Sequence, residues 1–182
     1  MKNRTELAKY FNTLGYRVGA EVGVAQGYYS EVLCKEIPGV QLYCIDPWLR
    51  YREYTDFAKE STFISMEAEA RERLKPYGCI IMNKYSVDAV KSFKDGMLDF
   101  VFIDANHSYD YVKQDIELWT PKVRKGGIVS GHDYYKTKAG NVGVIKAVDE
   151  YVKEHGYKLE LTDWATGVPH DDRQPCWYFT KI

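Results

Sequence analysis

Apolar and polar positions follow two rhythms along this chain. Short continuous apolar runs occur at 18–24 (VGAEVGV), 41–46 (QLYCID), 79–83 (CIIMN), 98–104 (LDFVFID) and 126–131 (GGIVSG). Runs of this length, apolar throughout rather than at alternate positions, fit strands covered on both faces. Between them, at 28–37, 57–75, 86–93, 111–123 and 142–156, the pattern is that of amphipathic helices. Breakers fall at the seams: Pro38-Gly39, Pro76 with Gly78, Gly126-Gly127 and Gly156. Strands separated by helices imply a parallel sheet with right-handed crossovers, hence a doubly wound α/β fold. The tail departs from this rhythm. Two strand-like runs, 158–164 (KLELTDW) and 176–182 (CWYFTKI), are joined by a link too short for a helical crossover, so they should form an antiparallel hairpin. With no internal repeat, low-complexity tract or linker, residues 1–182 read as a single domain.

Composition narrows the class. The chain has 182 residues, with 25 Lys+Arg against 26 Asp+Glu, and this near-neutral balance argues against nucleic acid or an anionic membrane as a partner. No apolar run approaches the roughly 20 residues of a membrane span, and the start MKNRTELAKYF lacks the apolar core of a signal peptide. The four cysteines (34, 44, 79 and 176) form no CxxC pair and read as reduced core residues of a cytoplasmic protein. Sixteen tyrosines are the one figure out of line. A homo-oligomer is compatible with all of this.

Open α/β sheets bind ligands beyond the carboxyl ends of their strands. After the first run comes Glu21-Val-Gly23-Val-Ala25-Gln-Gly27-Tyr28. Gly23 and Gly27 permit a sharp turn and close approach of a ligand, while the dinucleotide spacing GxGxxG is absent. A carboxylate at Glu21 suits a cationic or zwitterionic ligand better than a pyrophosphate. Asp46 ends the second run, where a carboxylate can take the hydroxyls of a ribose.

E-x-G-x-x-x-G after the first strand and an acid ending the second resemble a class I S-adenosylmethionine-dependent methyltransferase. The block FIDANHSYDYVKQDIELWTPKVRKGGIVSGHDY (102–134) resembles, more narrowly, the small O-methyltransferase family. That family includes macrolide sugar methyltransferases and cephalosporin hydroxylase-like proteins. Ala25 stands where many methyltransferases carry glycine, a change that a negative φ tolerates. The resemblance implies a mostly parallel, seven-stranded Rossmann-like sheet ending in the antiparallel hairpin. It implies that Glu21 and Gly23 face the methionine part of the cofactor, that Gly27 and Asp104 also bind the cofactor, and that Asp46 binds its ribose. Pro47 and Trp48 would then flank the adenine, with Ser86 near its edge.

Asp104 ends the fourth run and His132-Asp133 follow the fifth; adjacent strand tips would gather Asp104, His107, His132 and Asp133. Two chemistries fit. Asp104, His132 and Asp133 would hold Mg²⁺ or another divalent cation that acidifies an acceptor hydroxyl, with His107 as base. Alternatively no metal is involved, and a carboxylate orients a histidine that works as base near neutral pH. The reading is methyl transfer to a hydroxyl of a small molecule. The competing class is a binder of the same cofactor that has lost catalysis. Substrate choice is expected in 49–57, 134–141 and 162–176, including Arg50, Arg52, Lys136, Lys138, Trp164, His170, Asp171 and Asp172. Nine tyrosines (28, 29, 51, 54, 85, 109, 111, 134 and 135) follow the parallel strands and suggest a rim for a sugar or phenol-like ring. Tyr111 reads as helix packing, and Asp115 and Glu117 as a solvated helix face.

Overall fold

A computed structural model describes residues 1–49, 60–137, 140, 142–167 and 173–182. Its elements are α1 (Arg4–Thr13), β1 (Val18–Val22), α2 (Tyr28–Glu36), β2 (Gln41–Asp46), α3 (Glu60–Leu74), β3 (Ile80–Asn83), α4 (Ser86–Ala89), β4 (Leu98–Ile103), α5 (Tyr109–Trp119), β5 (Val123–Gly131), α6 (Gly143–His155), β6 (Glu160–Leu161) and β7 (Trp177–Thr180). The sheet has seven strands in the order β3-β2-β1-β4-β5-β7-β6. Pairing is parallel from β3 to β5 and antiparallel for β5–β7 and β6–β7, so the expected hairpin forms and its second strand inserts beside β5. Strand order reverses between β1 and β4, which places the ligand crevice there.

Side-chain parity builds two cores. Leu42, Cys44, Phe100, Phe102 and Ile128 point to the face covered by α1, α2 and α3. Ala20, Val22, Ile45, Val101, Ile103 and Val129 point to the face covered by α4, α5 and α6. Gly19 is required because a Cβ there would lie 2.1 Å from the Phe100 ring, which stacks on Phe11 of α1. Among the described residues, no helix is long and apolar enough to cross a membrane.

Two elements differ from the sequence pattern. The pattern assigns nothing to residues 4–13, yet α1 forms there, because the Asn3 side chain accepts from the Glu6 N–H (3.0 Å) and Leu7, Ala8 and Phe11 are fully buried. The strand expected at 126–131 starts at Val123. Pro121 ends α5 through a 3-10 turn, and Gly126, at φ 73°, lies in the irregular stretch where pairing with β4 shifts register.

Candidate active site

The tips of β1, β2, β4 and β5 are tied by main-chain hydrogen bonds. Gly23 N–H donates to Ile45 O (2.9 Å), Asp104 N–H to Val22 O (2.7 Å) and His132 N–H to Ile103 O (3.1 Å). Gly23 sits at φ 92°, and a Cβ on it would fall 2.1 Å from the Asp104 carbonyl oxygen. Only glycine lets these two tips meet.

The Asp46 carboxylate organises the turn after β1. Its Oδ2 accepts from the N–H groups of Val24 (3.0 Å) and Ala25 (2.9 Å), and its Oδ1 from Trp48 N–H (2.7 Å). Burial pushes the Asp46 pKa up against these three donors. Ala25 is left-handed, at φ 48°, contrary to the negative φ expected of it; Trp48 shares this region at φ 42°. Trp48 is buried, and its indole N–H donates to Ala25 O (2.8 Å). One residue thus braces the loop and walls the cavity.

That cavity has a volume of about 440 Å³. Its lining includes Gly23, Asp46, Pro47 and Trp48, together with Tyr85, Ser86, Asp104, Tyr111 and Asp115. Two sequence expectations are corrected here. Asp115 is 5% exposed, and Tyr111 faces the cavity as well as belonging to α5. Trp119 Nε1–H donates to Ser86 Oγ (2.8 Å), and the Ser86 hydroxyl donates to Asp115 Oδ1. With its single proton committed, Ser86 offers only a lone pair, and so does the ionised Asp115. This wall therefore accepts hydrogen bonds. Burial raises the Asp115 pKa to about 6, with the Ser86 hydrogen bond opposing it.

Glu21 and Gly27 are not among the cavity-lining residues. Gly27 caps α2 at φ 77° and packs on Leu74. Glu21, 2% exposed, points beneath α2, where Ser30 Oγ donates to it. Burial lifts its pKa from 4.5 to about 8. An acid with a raised folded pKa binds its proton more tightly folded than unfolded, so its contribution makes stability fall as pH rises through that window. Glu21→Gln is expected to remove this slope and to gain roughly 3 kcal/mol over wild type at pH 8 relative to pH 5. Urea unfolding at the two pH values measures it; equal slopes in both proteins would show that Glu21 is not the group responsible.

Beyond the cavity the strand-tip residues converge as expected. His107 Nε2 lies 3.4 Å from Asp104 Oδ1 and 3.1 Å from Asp133 Oδ2. His132 Nδ1 lies 3.8 Å from Asp104 Oδ2 and 3.4 Å from Asp133 Oδ1. Asp133 is left-handed, at φ 57°, which turns its carboxylate back between the two imidazoles. The potential ligand atoms of Asp104, His107 and Asp133 all lie within 4.8 Å of one another. His107 thus takes the place in the tightest trio that His132 was expected to hold. His132 is 5% exposed, and its buried Nε2 has no hydrogen-bond partner among the described residues.

Sequence reasoning missed Arg4. Carried in by α1, its guanidinium lies 3.7 Å from Asp104 Oδ2 and 5.1 Å from the centre of the Tyr29 ring. Burial alone would raise the Asp104 pKa, but His132, His107 and Arg4 outweigh it and hold the carboxyl below its ordinary value. Burial also opposes charge on His132, yet Asp104 and Asp133 raise its pKa on balance.

A second, smaller pocket adjoins His107 and Asp133 and is lined by Tyr135 and Thr137. Tyr135 meets the exposed Trp164 edge to face, with centroids 5.6 Å apart. The tyrosine rim is therefore divided. Tyr85 and Tyr111 serve the large cavity and Tyr135 the small one, whereas Tyr29 is buried core and the Tyr109 and Tyr134 hydroxyls bond Glu150 and Asp149 on α6. Arg50, Tyr51, Arg52, Tyr54, Lys138, His170, Asp171 and Asp172 lie outside the described residues.

Comparison with known proteins agrees with this layout. No curated protein sequence matches significantly. Solved structures do match in fold. An O-methyltransferase from Bacillus cereus in complex with SAH is 15% identical, with 98% of this chain and 80% of that one covered at a TM-score of 0.68. TomG of Streptomyces achromogenes, an O-methyltransferase involved in tomaymycin synthesis and solved with SAM, is 14% identical, with 98% and 79% covered at 0.66. The N-methyltransferase NodS of Bradyrhizobium japonicum WM9 is 12% identical, with 98% and 94% covered at 0.65. A family model described as a methyltransferase domain matches residues 20–134, from β1 through the residues that follow β5, and so spans the cavity and the histidine–carboxylate cluster. On that match the chain belongs to the methyltransferase domain family.

Proposed function

We propose that this methyltransferase uses S-adenosylmethionine to methylate a hydroxyl of a small, ring-bearing acceptor such as a sugar or a phenol. The observation that carries the reading is the position of Asp104. It lines the large cavity and also contacts His107, which lines the small pocket, so a donor site and a proton-handling site share one residue. The B. cereus enzyme and TomG, of the same fold, were solved with SAH and SAM.

The cofactor supplies a methyl group already activated on a sulfonium, so the protein's task is alignment and management of one proton. Asp46, through the turn it fixes, offers its remaining lone pair to the ribose, beside Gly23. Pro47, Trp48 and Tyr111 provide flat apolar walls for the adenine. The acceptor-only wall of Ser86 and Asp115 suits the exocyclic amino group of that base. On the other side, Tyr135 and Trp164 suit the face of a ring-shaped acceptor. His107, held at Nε2 by Asp104 and Asp133, takes up the proton of the acceptor hydroxyl on its imidazole.

The donor set also fits a divalent cation. Two carboxylates with the His107 imidazole nitrogen suit Mn, Fe or Zn better than Mg. Such an ion would contribute Lewis acidity toward the acceptor oxygen.

Calorimetric titration with S-adenosylhomocysteine, with and without Mg²⁺ or Mn²⁺, tests the reading. Binding is expected in the wild type, and its absence under every condition would sink it. Asp115→Asn, which places a donor in the acceptor-only wall, is expected to weaken binding about tenfold and to erase the preference for the 6-amino over the 6-oxo base. Unchanged affinity in that variant would remove Asp115 from the adenine edge while leaving the cofactor reading intact.

A further inference from the structure

Three of the four cysteines meet on the sheet face beneath α2, and none of them is among the lining residues of either cavity. Cys34 comes from α2, Cys44 from β2, and Cys79 from the residue before β3. Because Cys44 pairs in register with Ile81, Cys79, two residues earlier, projects onto the same face. Cys34 Sγ lies 3.3 Å from Cys79 Sγ, while the Cys44 thiol donates to Ser30 Oγ (3.6 Å). Cys34 and Cys44 are buried, whereas Cys79 is half-buried and thus the reachable sulfur of the three.

We propose that Cys79 and Cys34 form a thiol-modification site for low-molecular-weight disulfides, with Cys79 as the attacking sulfur and Cys34 as the resolving one. The hydrogen bond from the Cys34 thiol favours the Cys79 thiolate and lowers its pKa, while Cys34 is shifted up and holds its proton. In the first step Cys79 Sγ attacks one sulfur of the small disulfide. Its S–S bond breaks, a mixed disulfide forms, and one thiolate leaves. Cys34 Sγ then attacks the Cys79 sulfur, a Cys34–Cys79 bond forms, and the second thiolate leaves. The two protein thiols lose two electrons and two protons; the small disulfide gains both and becomes two thiols. The product closes a loop from residue 34 to residue 79 that contains Asp46 and Trp48 of the large cavity's lining.

The test uses the full chain and oxidised glutathione under native conditions, followed by acid quench, thiol counting in denaturant and peptide mapping. Wild type is expected to fall from four free thiols to two, to retain no glutathione, and to yield a Cys34–Cys79 linked peptide. Its melting temperature should rise and return on reduction. Cys34→Ala is expected to trap glutathione on Cys79, and Cys79→Ala to lose the reaction. Glutathione retained on wild-type Cys79, a Cys44–Cys79 link, or four surviving thiols would each overturn the proposal. The wild-type map decides the matter even if a variant folds poorly.

Discussion

Asp104→Asn is expected to lower kcat/KM by about 10³-fold, with a smaller loss of affinity for S-adenosylhomocysteine. Asparagine keeps the shape and removes the charge. That charge is the common partner of Arg4, His107 and His132, each within 4 Å of a carboxylate oxygen. Without it His132 loses the charge that most raises its pKa, and His107 keeps Asp133 but loses Asp104. If a cation is bound, the variant loses a ligand; if none is bound, it loses the group that orients the base. Both chemistries predict the same sign. The half-buried Arg4 guanidinium also loses its contact with Asp104, so stability should drop by about 2 kcal/mol. Urea unfolding and initial-rate kinetics on the same preparation separate the two effects. A folded variant within threefold of wild-type kcat/KM would contradict the central role given to Asp104.

Asp46→Ala should be the most damaging change on the donor side. Three main-chain N–H groups converge on this carboxylate, and removing it strands all three at the edge of the cavity. An unsatisfied buried donor costs about 1–3 kcal/mol, and water entering the cavity restores part of that, so a net loss near 3 kcal/mol is expected. The left-handed Ala25 and Trp48 then lose the bonds that hold them there. Affinity for S-adenosylhomocysteine should fall by about 100-fold or more, because both the ribose partner and the turn are gone. Asp46→Asn, which keeps one acceptor oxygen, should fall between wild type and alanine in both measurements. Alanine with full affinity would show that the turn forms without its carboxylate.

Much of this was legible in the sequence, and the physical reasons differ by residue. Asp46, Asp104 and His132-Asp133 were visible because buried parallel strands read as unbroken apolar runs, and a charged residue marks where each run reaches solvent. The inward turn of Asp115 was legible too. It falls in the buried stripe with Val112, Ile116 and Trp119, and a polar residue on an apolar stripe needs a partner, here Ser86. Glu21 follows from strand parity: it lies opposite in face to Ala20 and Val22, hence under α2 rather than in the turn. Arg4 was hidden because its helix is short and weakly patterned, and its meeting with Asp104 depends on how α1 docks. The exchange between His107 and His132 rests on the left-handed backbone of Asp133, which no pattern of residue types encodes.

The main-chain bonds that tie the four strand tips have a consequence for redesign. Gly23, Asp104 and His132 are registered to one another through backbone groups, with Gly23 the position where the lack of a side chain is required. The donor site and the proton-handling site therefore behave as one inherited chassis. The residues around Tyr135 and Trp164 lie outside this latch and are exposed or half-buried. A library aimed at new acceptors should concentrate its diversity at 134–137 and 163–167. Changes at the tips would shift donor and base together and forfeit activity toward every acceptor at once.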